Sequence, residues 1–108
     1  MSEELKVRIE TSRVEVSMLP ADHPACSYFT VALEIRDRDK GLWAVTRFSN
    51  CLSRDGEWDY EPQPSNRTDE WLGEHRFTYQ EALDLALSVL PTLRMGGMTA
   101  EQAFTDWR

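Results

Sequence analysis

Cys26, Cys51, His23 and His75 are the side chains of this sequence best suited to hold a metal or to act as nucleophile and base. His23 and Cys26 have two residues between them, as in half of a tetrahedral zinc site, but Cys51 and His75 are separated by 23 residues and make no compact second half. Neither a metal nor any other cofactor is therefore expected. Nor does a serine or cysteine occupy a glycine-flanked elbow of the kind that exposes a nucleophile. Glu57, Asp59 and Glu61 alternate, so on a strand they would share one face with neighbours about 7 Å apart. That spacing suits a carboxylate pair for glycosidic chemistry, but it is also the pattern of a strand facing water. Asn66-Arg67-Thr68 matches a glycosylation sequon, which carries no meaning in a cytosolic chain. The expectation is a protein without catalytic residues, with a small hydrolase as the weaker alternative.

The same acids read differently as a surface. The chain has 108 residues, 12 basic and 19 acidic, for a net charge of −7. Residues 55–84 carry nine acids against Arg67 and Arg76, while the remainder is balanced. The densest part, Asp55-Gly56-Glu57-Trp58-Asp59-Tyr60-Glu61, interleaves carboxylates with aromatics. A negative balance argues against direct binding to nucleic acid or to an anionic membrane. It fits a protein partner with a basic surface, because aromatic residues concentrate at the energetic centres of interfaces. The candidate contact residues are Glu57, Trp58, Asp59, Tyr60, Glu61, Asp69, Glu70 and Trp71. A nucleic-acid mimic is a variant of this reading and requires carboxylates spaced like phosphates. The alternative is a solvated acidic loop that maintains solubility.

These residues need elements to position them. Leu5, Val7 and Ile9 alternate with polar neighbours, as do Val14, Val16 and Met18, and the change of phase between the runs predicts a turn or bulge near residues 11–13. Phe29, Val31, Leu33 and Ile35 predict a half-buried strand, and Asp37 to Gly41 a hairpin loop into a strand over 42–48. Asp55-Gly56 predicts a two-residue turn pairing Arg54 with Glu57, Ser53 with Trp58 and Cys51 with Tyr60. In that register Trp43, Val45 and Cys51 share a face with Trp58 and Tyr60.

Thr68 and the residues after it predict a helical turn in a folded-back connection pinned by Trp71, or in a functional loop. Thr78 and Glu81 form a capping box ahead of a helix over 79–90 stopped by Pro91. That helix is apolar around most of its circumference, which predicts cover by the terminal helix or by a second subunit in a homodimer through helix 79–90. Thr99 and Gln102 begin a terminal helix expected to dock through Phe104 and Trp107. Together these predict one α+β domain over 1–108, an antiparallel meander of four or five strands with two helices packed on one face. With no apolar run of about 18 residues and an acidic start at Met1-Ser2-Glu3-Glu4, a cytoplasmic location with free thiols is expected and no membrane span.

The string Trp58-Asp59-Tyr60-Glu61-Pro62-Gln63-Pro64-Ser65-Asn66-Arg67, continued by Asp69-Glu70-Trp71-Leu72, His75-Arg76-Phe77 and Glu81-Ala82-Leu83, resembles small uncharacterised proteins of actinobacteria and their phages. The resemblance covers the second half of the chain. It implies a setting rather than an activity: an accessory, host-modulating or anti-defence factor that binds a larger protein.

Overall fold

The computed structural model describes Leu5, Val7 and residues 9–106. Five strands form one antiparallel meander in chain order: β1 (Arg13–Ser17), β2 (Thr30–Asp37), β3 (Leu42–Arg47), β4 (Asn50–Leu52) and β5 (Trp58–Tyr60). Three helices follow, α1 (Asp69–His75), α2 (Tyr79–Val89) and α3 (Ala100–Asp106), with 3₁₀ turns at Cys26–Phe29, Pro64–Asn66 and Leu90–Thr92. The class is the α+β meander expected.

Alternation divides the sheet into two unlike faces. One carries Val31, Leu33, Trp43, Val45 and Leu52, and it packs with Ala82 and Ala86 of α2 and Ala100 and Ala103 of α3 into a single apolar cluster. Ala82 and Ala86, four residues apart, lie on one side of α2 and let the helix approach the sheet closely. The capping box forms as expected: Glu81 N donates to Thr78 Oγ1 at 3.2 Å, and Thr78 N donates to Glu81 Oε1 at 2.9 Å. A similar reciprocal pair links Thr99 and Gln102 at the start of α3.

Three expectations are corrected, and the cover of α2 is accounted for within the chain. Leu5, Val7 and Ile9 lie outside any strand and are exposed. Continuing the β1–β2 register, Ile9 would fall opposite Arg38, where β2 has already turned into its hairpin loop, so a strand there has no neighbour. The Asp55-Gly56 turn has three loop residues, not two. Gly56 N donates to Ser53 O at 3.0 Å and Ser53 N to Glu57 O at 2.8 Å, with Gly56 at φ +83° as the left-handed bulge residue. Pairing therefore shifts by one residue, to Leu52 with Trp58, Cys51 with Asp59 and Asn50 with Tyr60.

The terminal helix docks through Ala100 and Ala103, while Phe104 stays exposed and stacks on His23 with 6.2 Å between ring centroids. Trp107, expected to dock beside it, lies outside the described residues. Finally, Leu83, Leu85 and Val89 of α2 pack against the core and leave Leu87 as its exposed aliphatic side chain. Most of the apolar circumference that suggested a homodimer through helix 79–90 is thus covered within one chain. No helix among the described residues is long and apolar enough to cross a membrane.

Candidate functional site

The other face of the sheet is built from small side chains under a polar layer. Ala32, Ala44, Thr46 and Cys51 are buried there, and the one-residue shift in register brings Asp59 beside Cys51. Ion pairs run along this face. Glu34 meets Arg13 at 2.8 Å and Arg36 at 3.6 Å, and accepts a hydrogen bond from Thr46 Oγ1 at 2.7 Å. Arg36 also reaches Glu61 at 3.2 Å, and Glu61 Oε1 takes Arg76 at 2.7 Å and Arg67 at 3.8 Å. Arg36 is the extra residue of a bulge between Ile35 and Asp37, an irregularity of the kind that re-aims a side chain.

Glu61 is thus a hub. Burial on its own would raise its carboxyl, but hydrogen bonds and charge from Arg76 and Arg36 outweigh that and hold it below the ordinary carboxylate range. The two bases noted inside the acidic segment, Arg67 and Arg76, both serve this carboxylate.

Beside the hub, α1 covers the end of the face. Thr68 Oγ1 caps it by accepting from Trp71 N at 3.0 Å. His75 is buried, with Nε2 2.7 Å from Asp59 Oδ2 and Nδ1 2.8 Å from the Trp71 carbonyl. Both partners accept, so both bonds form together when each ring nitrogen carries a proton. The Trp71 ring stacks on His75 at 4.1 Å and 10°, and the Arg76 guanidinium also lies over the Trp71 ring, 5.2 Å from its centroid.

An Asp–His pair invites a catalytic reading, yet this imidazole has neither nitrogen available for a substrate proton. Cys51, the thiol on the same face, is fully buried, and desolvation with Glu61 nearby pushes it up to about 11. An activated nucleophile requires the opposite shift. Among the described residues no three His, Cys, Asp or Glu side chains converge as metal ligands would.

The eight contact residues expected from sequence therefore divide. Glu61 is covered and held by the arginines, Asp59 pairs with His75 while its own side chain stays 46% exposed, Trp58 packs against the core from β5, and Trp71 is half-buried in its stack. Glu57, Asp69 and Glu70 are exposed, and Tyr60 is 74% exposed.

A second feature escaped the sequence reading. Phe48, at the tip between β3 and β4, is 66% exposed and holds φ at +55°. Arg47 lies over its ring at 5.1 Å, and Tyr28 meets it edge-on at 6.2 Å. Arg47 Nε is buried without a hydrogen-bond partner among the described residues, and desolvation lowers the affinity of this guanidinium for its proton. The sequence pattern places Phe48 inside a strand over 42–48, whereas β3 ends at Arg47 and β4 begins at Asn50, which leaves Phe48 in a two-residue connection. Comparison of the chain with models of known protein families, with curated proteins and with solved structures finds no match.

Proposed function

We propose that the chain is a non-enzymatic protein-binding factor that engages a basic partner through the acids its fold leaves facing outward. The observation that carries this reading is the division within the acidic segment. Asp59 and Glu61 are consumed by His75 and arginines, whereas Asp55, Glu57, Glu70 and Glu74 are exposed and enter no ion pair among the described residues.

These four belong to one neighbourhood. Arg54 N donates to Glu74 O at 2.9 Å and Arg54 Nε to Gly73 O at 2.7 Å, which ties the Asp55 turn to α1, and Glu70 lies one helical turn before Glu74. Unpaired acids held by a rigid frame steer a basic partner without the entropy cost of ordering a loop. In the setting implied by the resemblance, that partner is a larger host or phage protein, and the site of action is the cytoplasm. Affinity capture with wild-type bait and with the Asp55→Lys, Glu57→Lys, Glu70→Lys variant tests the reading. It predicts a prey retained by the first and lost from the second, and equal retention of every prey by both would contradict it.

A second contact surface has a specific observation in its favour. A phenylalanine in the left-handed region costs about 1–2 kcal/mol relative to ordinary backbone, and strain of this kind collects at binding sites. Phe48 with Tyr28 and Arg47 brings together aromatic and guanidinium side chains, two of the residue classes that anchor interfaces. Phe48→Gly separates the roles. It should leave thermal stability unchanged or raised while weakening capture of the same prey, and a loss of stability with unchanged capture would assign Phe48 to packing alone.

A further inference from the structure

We propose that the cleft between α1 and the β2–β3 hairpin binds a small phosphorylated molecule. The cleft has a volume of about 420 Å³, and its charged lining is Arg36, Lys40, Arg54, Arg67 and Arg76 against Asp37 and Asp69. A chain with net charge −7 thus gathers five cations around one concavity. Three of them, Arg36, Arg67 and Arg76, pair with Glu61, and Arg36 also meets Glu34 at 3.6 Å. A guanidinium carries about five N–H donors and a carboxylate accepts about four bonds, so Glu61 positions these arginines without exhausting them. Lys40 enters no ion pair among the described residues, and Arg54 is anchored by the Gly73 and Arg76 carbonyls and by Glu81 at 3.4 Å.

An independent observation comes from Gly73. It lies within α1, its φ is not positive, and a Cβ built there would meet nothing within 4 Å. Neither backbone geometry nor packing calls for glycine, which weakens a helix relative to alanine. Gly73 lines the cleft beside Leu72, so the absence of a side chain there leaves this wall unobstructed. Forked guanidinium donors beside a lysine suit a phosphoryl group, whose two charges match such a site better than one carboxylate. The volume is that of a small-ligand pocket. The outward acids Asp55, Glu70 and Glu74 on the neighbouring surface oppose a nucleic-acid strand, which would run past them.

The test is an NMR titration of the full chain with inorganic pyrophosphate at constant ionic strength, repeated with citrate and with a single-stranded oligonucleotide. Saturable shifts at Arg36, Lys40, Arg67 and Gly73 are expected with pyrophosphate, with citrate and the oligonucleotide each binding more weakly. Lys40→Ala and Gly73→Leu should each weaken pyrophosphate at least about tenfold. Gly73→Leu should do so with thermal stability maintained, because leucine favours the helix and adds bulk to a residue that lines the cleft. Shifts that do not saturate, shifts centred on Arg13 or Arg47, tighter binding of citrate or oligonucleotide, or full affinity in Gly73→Leu would overturn the proposal.

Discussion

At Glu61 one carboxylate, with a side chain 16% exposed, answers three guanidiniums, including that of Arg76 at 6%. Removing such a hub leaves buried positive charge without compensation, so Glu61→Gln should destabilise the fold by about 3 kcal/mol in urea unfolding at neutral pH. The pH dependence follows from its depressed carboxyl. Because the folded value lies below the ordinary 4.5, the contribution is fully present above about pH 4.5 and is lost as pH falls through the folded value. The stability gap between wild type and Glu61→Gln should therefore narrow in acid. A gap that stays constant from pH 7 to pH 3 would show that packing, not charge, is what Glu61 supplies. None of this pairing was legible in the sequence, where Glu61 read as a surface acid. Its partners come from β2, from the connection at residue 67 and from the end of α1, and nothing local brings such distant positions together.

Elements were more legible, because their signals are local. The alternation from Phe29 to Ile35 and the Thr78–Glu81 capping box each specify structure within a few residues, and both are present. Thr78→Ala should cost about 1 kcal/mol, since it removes the acceptor for Glu81 N and the geometry that returns Glu81 to Thr78 N. A melting temperature equal to wild type would mean that tertiary packing alone sets the start of α2. The β4–β5 turn shows where local signals stop. Asp-Gly is compatible with a two-residue loop and with a three-residue loop ending in a left-handed glycine, and the Ser53 hydroxyl, accepting from Glu57 N at 3.1 Å, favours the second. The expected register and the expected face of Cys51 were each displaced by one residue. The two displacements cancelled for Trp58, which does share the face of Trp43 and Val45, and left Asp59 on the face of Cys51.

Over the whole molecule, charge is sorted by direction. The apolar face of the sheet is closed by α2 and α3, the polar face by salt bridges and α1, and the acids not needed for either are left near the Asp55 turn and along α1. The sequence showed where the net charge lies but not which acids are spent internally, because that depends on register and on the position of α1. The proposed function rests on this sorting, and the association rate with the captured partner, measured against salt concentration, tests it most directly. The Asp55→Lys, Glu57→Lys, Glu70→Lys variant should keep its stability to within about 0.5 kcal/mol while its association slows at least about tenfold and loses most of its salt dependence. An unchanged rate and an unchanged salt slope would contradict the account and reduce the outward acids to a solvated surface.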